Sequence, residues 1–169
     1  MASSGDILTI RKATLNDVPS ITSIYNHYIK TSTSTFEEEL LSVQDMEKRV
    51  RLISEKYVWL VAEYNGDIVG YAYAGQWKSR SAYRLTVETS IYLKDGEEGR
   101  GYGKTLYSEL LNQVEALGYK SLIGGISLPN EPSIKLHESL GFEKIGQFKK
   151  VGVKFGKWID VGYWEKINE

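Results

Sequence analysis

The order of apolar patterns along the chain limits its fold more than any other feature of the sequence. Seven short segments rich in apolar, β-branched and aromatic residues predict strands. They are Leu8–Lys12, Val58–Glu63, Ile68–Ala74, Val87–Leu93, Leu122–Ser127, Phe142–Phe148 and Val161–Lys166. Four segments with apolar residues at helical spacing predict helices at Ile21–Tyr28, Met46–Ile53, Leu106–Leu117 and Asn130–Gly141. The order βααβββαβαββ predicts an α+β protein, a mixed sheet with helices on its faces.

Local turn signals support several of these boundaries. Asn65-Gly66 between two apolar runs predicts a two-residue hairpin. Thr14-Leu-Asn-Asp17 is an acidic relative of the helix capping box, and Gly118 stands where a left-handed residue ends a helix. Asn130 is a suitable N-cap for the fourth helix. Because no repeat or linker pattern divides the chain, residues 1–169 are predicted to form a single domain.

The composition excludes several classes of protein. Lys and Arg number 21 against 22 Asp and Glu, and the formal charge of −1 gives no general attraction to nucleic acid. The absence of cysteine excludes a disulfide framework and a thiolate site, and with two histidines no metal is expected. No apolar run approaches the roughly 20 residues that span a bilayer, and Met1-Ala-Ser-Ser-Gly5 lacks a secretory pattern. We therefore expect a cytoplasmic protein that binds neither nucleic acid nor membrane.

A glycine-rich segment, Glu97-Glu-Gly-Arg-Gly-Tyr-Gly-Lys104, lies between a predicted strand and a predicted helix. Glycines let successive main-chain N–H groups and a helix N-terminus face one anion such as a pyrophosphate, although a merely flexible connection fits the sequence equally well. Two nucleotide motifs fail on spacing. A P-loop ending in Gly103-Lys104-Thr105 needs a glycine where Glu98 stands, and Gly-x-Gly-x-Gly in mid-chain does not match the dinucleotide fingerprint.

Glu88 is a charged residue within a predicted strand. Strand alternation places Glu88 on one face with Ser90 and Tyr92, so its carboxylate can point into a cavity on that face. A carboxylate there costs stability unless it is solvated or paired, which favours a functional role. The alternative is an exposed strand residue or an ion-pair partner for Lys78 or Arg80.

Several longer segments share the pattern of one enzyme family. They are Tyr25-Asn-His-Tyr-Ile29, Thr31–Thr33, Trp59–Glu63, Tyr71–Gly75, Trp77–Arg80 with Ala82-Tyr83, Leu128–Asn130, His137-Glu138 and Gly156–Tyr163. Together with the glycine-rich segment they resemble the GNAT N-acetyltransferases, and among these the phosphinothricin N-acetyltransferases of the bialaphos-resistance type. The resemblance extends from about residue 10 to residue 165. It implies the layered α/β/α GNAT acyl-CoA N-acyltransferase fold, with parallel strands 4 and 5 splayed apart.

The resemblance also implies how acetyl-CoA, the co-substrate, is held. The pantetheine arm lies in the gap and pairs with the fourth strand, the glycine-rich loop wraps the pyrophosphate, and the start of the fourth helix adds polar contacts. The implied cofactor-binding residues are Ser90, Ile91, Tyr92, Leu93, Glu98, Gly99, Arg100, Gly101, Tyr102, Gly103, Lys104, Asn130 and Ser133. Glu98 departs from the family pattern, which has Gln or Arg there, so either nearby cations offset its charge or its side chain turns away.

Catalytic roles follow from the same resemblance. Glu88 is predicted to remove a proton from the acceptor amine, directly or through one water, with His137 as a second base. On its own, a single histidine on a mostly apolar helix indicates core packing. Main-chain N–H groups near Ile91 and Tyr92 are expected to stabilise the oxyanion, and Tyr107 is a candidate proton donor to the CoA thiol.

Acceptor binding is assigned to the remaining polar and aromatic residues. Arg80 can bind a carboxylate or phosphinate through two parallel hydrogen bonds and Lys78 can add a charge, although both also fit an ordinary solvated loop. The implied substrate-binding residues are Phe36, Tyr73, Lys78, Arg80, Tyr83 and Tyr92. The predicted reaction acetylates the α-amino group of phosphinothricin, a herbicidal amino acid, or of a glutamate-like analogue, and so gives herbicide resistance. Methionine sulfoximine or sulfone as acceptor, or a non-catalytic acetyl-CoA sensor, are the alternatives. A homodimer is also implied, with Tyr92 reaching a neighbouring subunit's cavity.

Overall fold

Residues 6–169, the part of the chain that the computed structural model describes, contain seven strands and four helices in the predicted order. The expectation drawn from Met1–Gly5 lies outside this part. The strands are β1 Leu8–Lys12, β2 Trp59–Tyr64, β3 Asp67–Gln76, β4 Thr86–Leu93, β5 Ser121–Ser127, β6 Glu143–Lys154 and β7 Lys157–Ile167. The helices are α1 Val18–Thr31, α2 Val43–Lys56, α3 Tyr102–Ala116 and α4 Glu131–Ser139, and single 3₁₀ turns cover Leu15–Asp17 and Ser81–Tyr83. None of the helices in residues 6–169 is both long and apolar enough to cross a membrane.

The sheet has the strand order β1-β2-β3-β4-β5-β7-β6. Every neighbouring pair is antiparallel except β4 and β5, which run parallel. Pairing between β4 and β5 stops at Glu88 and Ile123. Beyond that point β4 remains paired with β3 as far as Leu93, and β5 remains paired with β7 as far as Ser127. The two parallel strands therefore part in mid-sheet, which confirms the predicted splay.

Helices cover both faces of the sheet, so the predicted α/β/α layering is confirmed. Strand alternation in β2 shows how one segment serves two cores. Leu60 and Ala62 are buried in the core under α3, whereas Trp59 and Val61 are buried in the core under α1 and α2. Since both faces are covered there, β2 is continuously apolar and buried over Trp59–Ala62 rather than alternating with polar residues.

The predicted turn and cap residues occupy the expected conformations. Asn65 and Gly66 both have positive φ, 50° and 84°, as a two-residue hairpin turn requires. Gly118 after α3 has φ of 90°, and the Asn130 side chain accepts a hydrogen bond from the Ser133 N–H at 3.2 Å to cap α4. At Thr14 the main-chain N–H donates to Asp17 Oδ2 at 2.7 Å, completing the acidic capping box.

The last hairpin is longer than the sequence pattern predicts. β6 continues six residues past the predicted end at Phe148, and β7 starts four residues before Val161. A bulge between Phe148 and Gly152, with Lys150 at φ 52°, interrupts the alternation of side chains in β6. The far end of the hairpin is also largely exposed, so burial imposes no apolar pattern on it. The bulge and the exposure explain why the sequence pattern did not predict the longer β6 and β7.

Candidate active site

A cavity of about 980 Å³ opens where β4 and β5 part. One wall is the diverging half of β4, from Glu88 to Leu93, and the facing wall is the end of β5 with the start of α4. The glycine-rich loop lies at one end, and the loop after α1 closes a further side. From Thr89 onward β4 has no β5 partner among the described residues, so this edge is free to pair with an amide-containing chain such as a pantetheine arm.

The glycine-rich loop has the conformation that an anion site requires. Gly99 and Gly101 have φ of 78° and 82°, which residues with a side chain adopt at a cost, and α3 begins directly after Gly101. Main-chain N–H groups and the positive end of α3 therefore meet at the cavity. Glu98 Oε2 accepts a hydrogen bond from the Gly96 N–H at 2.9 Å. The carboxylate thus turns back onto its own loop, which explains how Glu98 is tolerated where the family pattern has Gln or Arg.

Most predicted cofactor-binding residues line the cavity. They are Ser90, Ile91, Tyr92, Leu93, Glu98, Gly99, Gly101, Gly103, Lys104, Asn130 and Ser133. Arg100 and Tyr102 do not line it. The Arg100 guanidinium lies 3.6 Å from the Glu97 carboxylate, and the Tyr102 ring packs against that of Tyr64 with centroids 5.4 Å apart. Only the main-chain groups of Arg100 and Tyr102 are therefore left to contact a cofactor in the loop.

Glu88 occupies the point where the two strands separate. Its side chain faces the α1 side of the sheet and lines the cavity, as alternation predicts, and its cross-strand partner on β3 is Gly75, which adds no side chain there. Burial raises the pKa of the Glu88 carboxyl, and the positive charge of Lys78 opposes that rise. A carboxylate of raised pKa that lines a cavity is suited to accept a proton near neutral pH.

His137 lines the same cavity as Glu88 and is 4% exposed. Its Nδ1 lies 2.7 Å from the Ser133 carbonyl oxygen, which can only accept, so Nδ1 carries the proton. In the neutral ring Nε2 therefore accepts, and Tyr107 Oη donates to it at 3.0 Å. Tyr107 Oη is in turn 2.5 Å from Thr89 Oγ1, whose hydroxyl is left to donate. Burial lowers the pKa of His137, which favours this neutral form.

Tyr107 is fully buried and does not line the cavity. Its hydroxyl proton is directed to His137, and burial raises the pKa of the phenol. In this structure Tyr107 therefore has no access to a thiol in the cavity, contrary to the role expected for it. Its position under the sheet follows from its place among the apolar residues of α3, such as Leu106 and Leu110.

The predicted acceptor residues divide into two groups. Phe36, Tyr73 and Tyr92 line the cavity, but Lys78, Arg80 and Tyr83 do not. Tyr92 lies in its own subunit's cavity, where its ring packs against Tyr25 and Tyr28 at centroid distances of 5.3 Å.

The Lys78, Arg80 and Tyr83 loop joins β3 to β4 close to Glu88. Lys78 Nζ lies 4.9 Å from the centroid of the Trp77 ring, which meets the edge of the cavity residue Tyr163 at 5.8 Å. This loop therefore flanks the Glu88 end of the cavity without entering it. Among residues 6–169 no group of three or more His, Cys, Asp or Glu side chains is placed to hold a metal ion.

Comparison with known proteins identifies the fold. Residues 10–162 match the family model described as "Acetyltransferase (GNAT) domain". The chain belongs to the GNAT acetyltransferase family. The predicted family, fold class and acetyltransferase activity are thereby confirmed.

Individual GNAT relatives agree with this result. The phosphinothricin N-acetyltransferase of Streptomyces viridochromogenes is 44% identical over 160 residues, covering 95% of this chain and 87% of that protein. An L-methionine sulfoximine/L-methionine sulfone acetyltransferase of Salmonella typhimurium is 36% identical, covering 94% and 93%. The crystal structure of a GNAT superfamily phosphinothricin acetyltransferase from Sinorhizobium meliloti in complex with AcCoA superposes with a TM-score of 0.92 at 39% identity, covering 95% and 88%.

Sequence reasoning missed several residues of the GNAT cavity. Residues 33–35, Ser127 and Tyr163 line it but were assigned no role. Two of the segments that resemble the family, Thr31–Thr33 and Gly156–Tyr163, contain part of this set, so the resemblance marked them without indicating what they contact. The other feature that could have indicated residues 33–35 is a short polar run after a helix, which is common to many loops.

Proposed function

We propose that this GNAT protein transfers an acetyl group from acetyl-CoA to the α-amino group of a small amino acid, with phosphinothricin as the first candidate acceptor. The observation that carries the proposal is the position of Glu88, at the point where β4 and β5 part and opposite the glycine-rich loop along one cavity. Acetyl-CoA as co-substrate, predicted from the sequence, is confirmed by the family and by the relative crystallised with AcCoA.

The proposed reaction is direct transfer within a ternary complex. Acetyl-CoA supplies the acetyl group as a thioester. Glu88 accepts the proton that the acceptor's ammonium group loses, directly or through one water, and the freed amine nitrogen forms the new bond to the thioester carbon. The main-chain N–H of Ile91 faces the free edge of β4, because the N–H of Lys94, three residues on, donates to β3, and it is assigned to the carbonyl oxygen while that oxygen carries negative charge. The carbon–sulfur bond then breaks, and the CoA sulfur leaves as a thiolate that takes up a proton.

Glu88 is preferred over His137 as the base because of their hydrogen bonds. In neutral His137 the Nε2 lone pair already accepts from Tyr107, so it would have to give up that bond to take a proton from substrate. Burial raises the pKa of Glu88 and lowers that of His137, so the carboxylate is a stronger base than usual and the imidazole a weaker one. His137 is proposed to hold Tyr107 and Thr89 in place.

The nature of the acceptor side chain distinguishes two proposals. Lys78 and Arg80 flank the Glu88 end of the cavity and favour an anionic acceptor such as phosphinothricin. Phe36, Tyr73 and Tyr92, which line the cavity itself, favour an uncharged side chain such as that of methionine sulfone. Relatives with each printed activity are similar to this chain. The proposal for phosphinothricin therefore rests on the two cations.

A panel of acceptors tests both proposals. Thiol release is followed with acetyl-CoA and phosphinothricin, L-glutamate, L-methionine sulfoximine or L-methionine sulfone. The Arg80→Ala variant should lower kcat/KM for phosphinothricin more than for methionine sulfone, because only phosphinothricin has a charged side-chain group for Arg80 to bind. An equal loss for both acceptors would remove Arg80 from side-chain recognition. Binding of acetyl-CoA with no thiol release from any acceptor would favour the non-catalytic sensor.

We also propose that the chain forms a homodimer. The support is a group of apolar side chains on the last hairpin that are each more than half exposed, namely Phe148, Val151, Val153, Phe155 and Trp158. Light scattering after gel filtration tests this, and Trp158→Glu should shift the protein to monomer. A monomeric wild-type chain would refute it. The cytoplasmic location and the single domain spanning residues 1–169 stay predictions.

A further inference from the structure

The loop after α1 walls the cavity without belonging to a helix or strand. Residues 33–36 line the cavity, and we call Ser32–Phe36 the acceptor wall. Its carbonyl groups are held by side chains from distant strands. Ser127 Oγ on β5 donates to the Thr33 carbonyl at 2.6 Å, and Tyr92 Oη on β4 lies 3.4 Å from the Ser34 carbonyl. The shape of the wall therefore depends on side chains far away in sequence.

Lys154, at the end of β6, holds two further carbonyls of the wall. Its Nζ donates to the Ser32 carbonyl at 2.7 Å and to the Thr35 carbonyl at 2.8 Å. The residue is 1% exposed and does not line the cavity. Burying an ammonium group is costly unless it is hydrogen-bonded, so these two acceptors account for its position. The positive charge of the ammonium also stabilises the two carbonyl dipoles, three residues apart, that converge on it.

Gly152 lies two residues before Lys154 on the same face of β6 and contacts the next part of the wall. A Cβ at Gly152 would stand 2.3 Å from Cε2 of the Phe36 ring. The ring thus packs directly on the bare main chain of β6. Two alternate residues of one strand therefore complement the acceptor wall, one with a cation for its carbonyls and the other with space for its aromatic side chain.

We propose that Lys154 is a positioning residue that fixes the acceptor wall and thereby sets the affinity for the amino-acid acceptor. This inference rests on the proposed function. The wall lies on the same side of the sheet as Glu88, as the contact of Tyr92 with Ser34 shows, because Glu88 and Tyr92 share one face of β4. The glycine-rich loop is attached to α3 on the other side. Loss of Lys154 should consequently affect the acceptor and leave acetyl-CoA binding unchanged.

The test compares Lys154→Met with Lys157→Met, which removes an exposed charge from the cross-strand partner position. Lys154→Met should raise KM for phosphinothricin or methionine sulfone about tenfold, while KM for acetyl-CoA stays within about twofold of wild type. Hydrogen exchange at residues 33–37 should become about tenfold faster, with no change at residues 99–104. Lys157→Met should match wild type in all three measurements. Gly152→Ala, which displaces Phe36 without changing charge, should also raise the acceptor KM alone.

Each outcome decides a separate claim. Unchanged exchange at residues 33–37 in Lys154→Met would overturn the proposal, as would a parallel loss of affinity for both substrates, which indicates general destabilisation. Faster exchange with an unchanged acceptor KM would overturn the link to acceptor affinity. If wild type acetylates no acceptor in the panel, the proposed function fails, and the exchange measurement still decides whether Lys154 fixes the wall.

Discussion

Replacing Glu88 by Gln tests the catalytic assignment most directly. The substitution keeps the size of the side chain but removes its ability to accept a proton. General base catalysis typically contributes 10²–10⁴-fold, so we expect kcat to fall by about 100-fold at neutral pH, or about 2.7 kcal/mol of transition-state stabilisation. KM for acetyl-CoA should remain within about twofold, since the cofactor-binding loop lies at another part of the cavity.

The same assignment predicts how the rate depends on pH. The base is active when deprotonated, so wild-type kcat/KM should rise with pH through the pKa of Glu88, which burial places above its ordinary value of 4.5. Glu88→Gln should lose this acid limb. Its deficit in kcat should also narrow at high pH, where the acceptor's ammonium group loses its proton to solvent. Initial rates of thiol release from pH 5 to pH 10 measure both effects.

Thermal unfolding provides the control for folding. Because the pKa of Glu88 is raised in the folded protein, its stabilising contribution is greatest at low pH and is lost as pH rises through the folded-state pKa. At neutral pH the buried charge opposes folding, so Glu88→Gln should have the same or a higher Tm than wild type. A folded variant with unchanged kcat, or with a deficit independent of pH, would refute Glu88 as the base.

Three further substitutions test neighbouring parts of the site. Lys78→Met should move the acid limb of kcat/KM to higher pH, because the positive charge of Lys78 holds down the pKa of Glu88; an unmoved midpoint would contradict this. Gly101→Ala, at φ 82°, should raise KM for acetyl-CoA several-fold through about 1 kcal/mol of backbone strain in the loop, measured by initial rates. Gly124→Ala would place a Cβ 2.8 Å from His137 Nε2 and should lower the free energy of unfolding by about 1–3 kcal/mol in urea titrations.

The elements of the fold were accessible from the sequence because burial imposes a period on it. Alternation identified the face of β4 that carries Glu88, and Asn65-Gly66 fixed a hairpin. The far half of the β6–β7 hairpin was not accessible, since its side chains are exposed and Lys150 forms a bulge that breaks the alternation. Local patterns describe what is buried locally and say little about an exposed extension.

The site was only partly accessible for a related reason. Residues on β4 and in the glycine-rich loop are close in sequence, and the family resemblance grouped them. The acceptor wall depends instead on pairs such as Ser127 with Thr33, 94 residues apart, and Lys154 with Ser32, 122 apart. No local pattern encodes such contacts. The sequence predicts that a lysine in an exposed strand is solvated. Only the packing of β6 against the acceptor wall shows that Lys154 is buried.

Side chains replace main-chain pairing where β4 and β5 part. The last paired residues are Glu88 and Ile123, and the next residues along the two strands are Thr89 and Gly124. The His137 ring fills the space that a side chain at Gly124 would need, and its Nε2 is joined through Tyr107 to the Thr89 hydroxyl. This bridge is hydrogen-bonded to β4 and packed against β5 on the α3 face, so the two strands can separate without leaving that core open. Because neighbouring residues of a strand face opposite ways, the same separation leaves Glu88 on the other face, lining the cavity. The register of β4 with β5, which ends their pairing at Glu88 and Ile123, thus both opens the cofactor gap and positions the base.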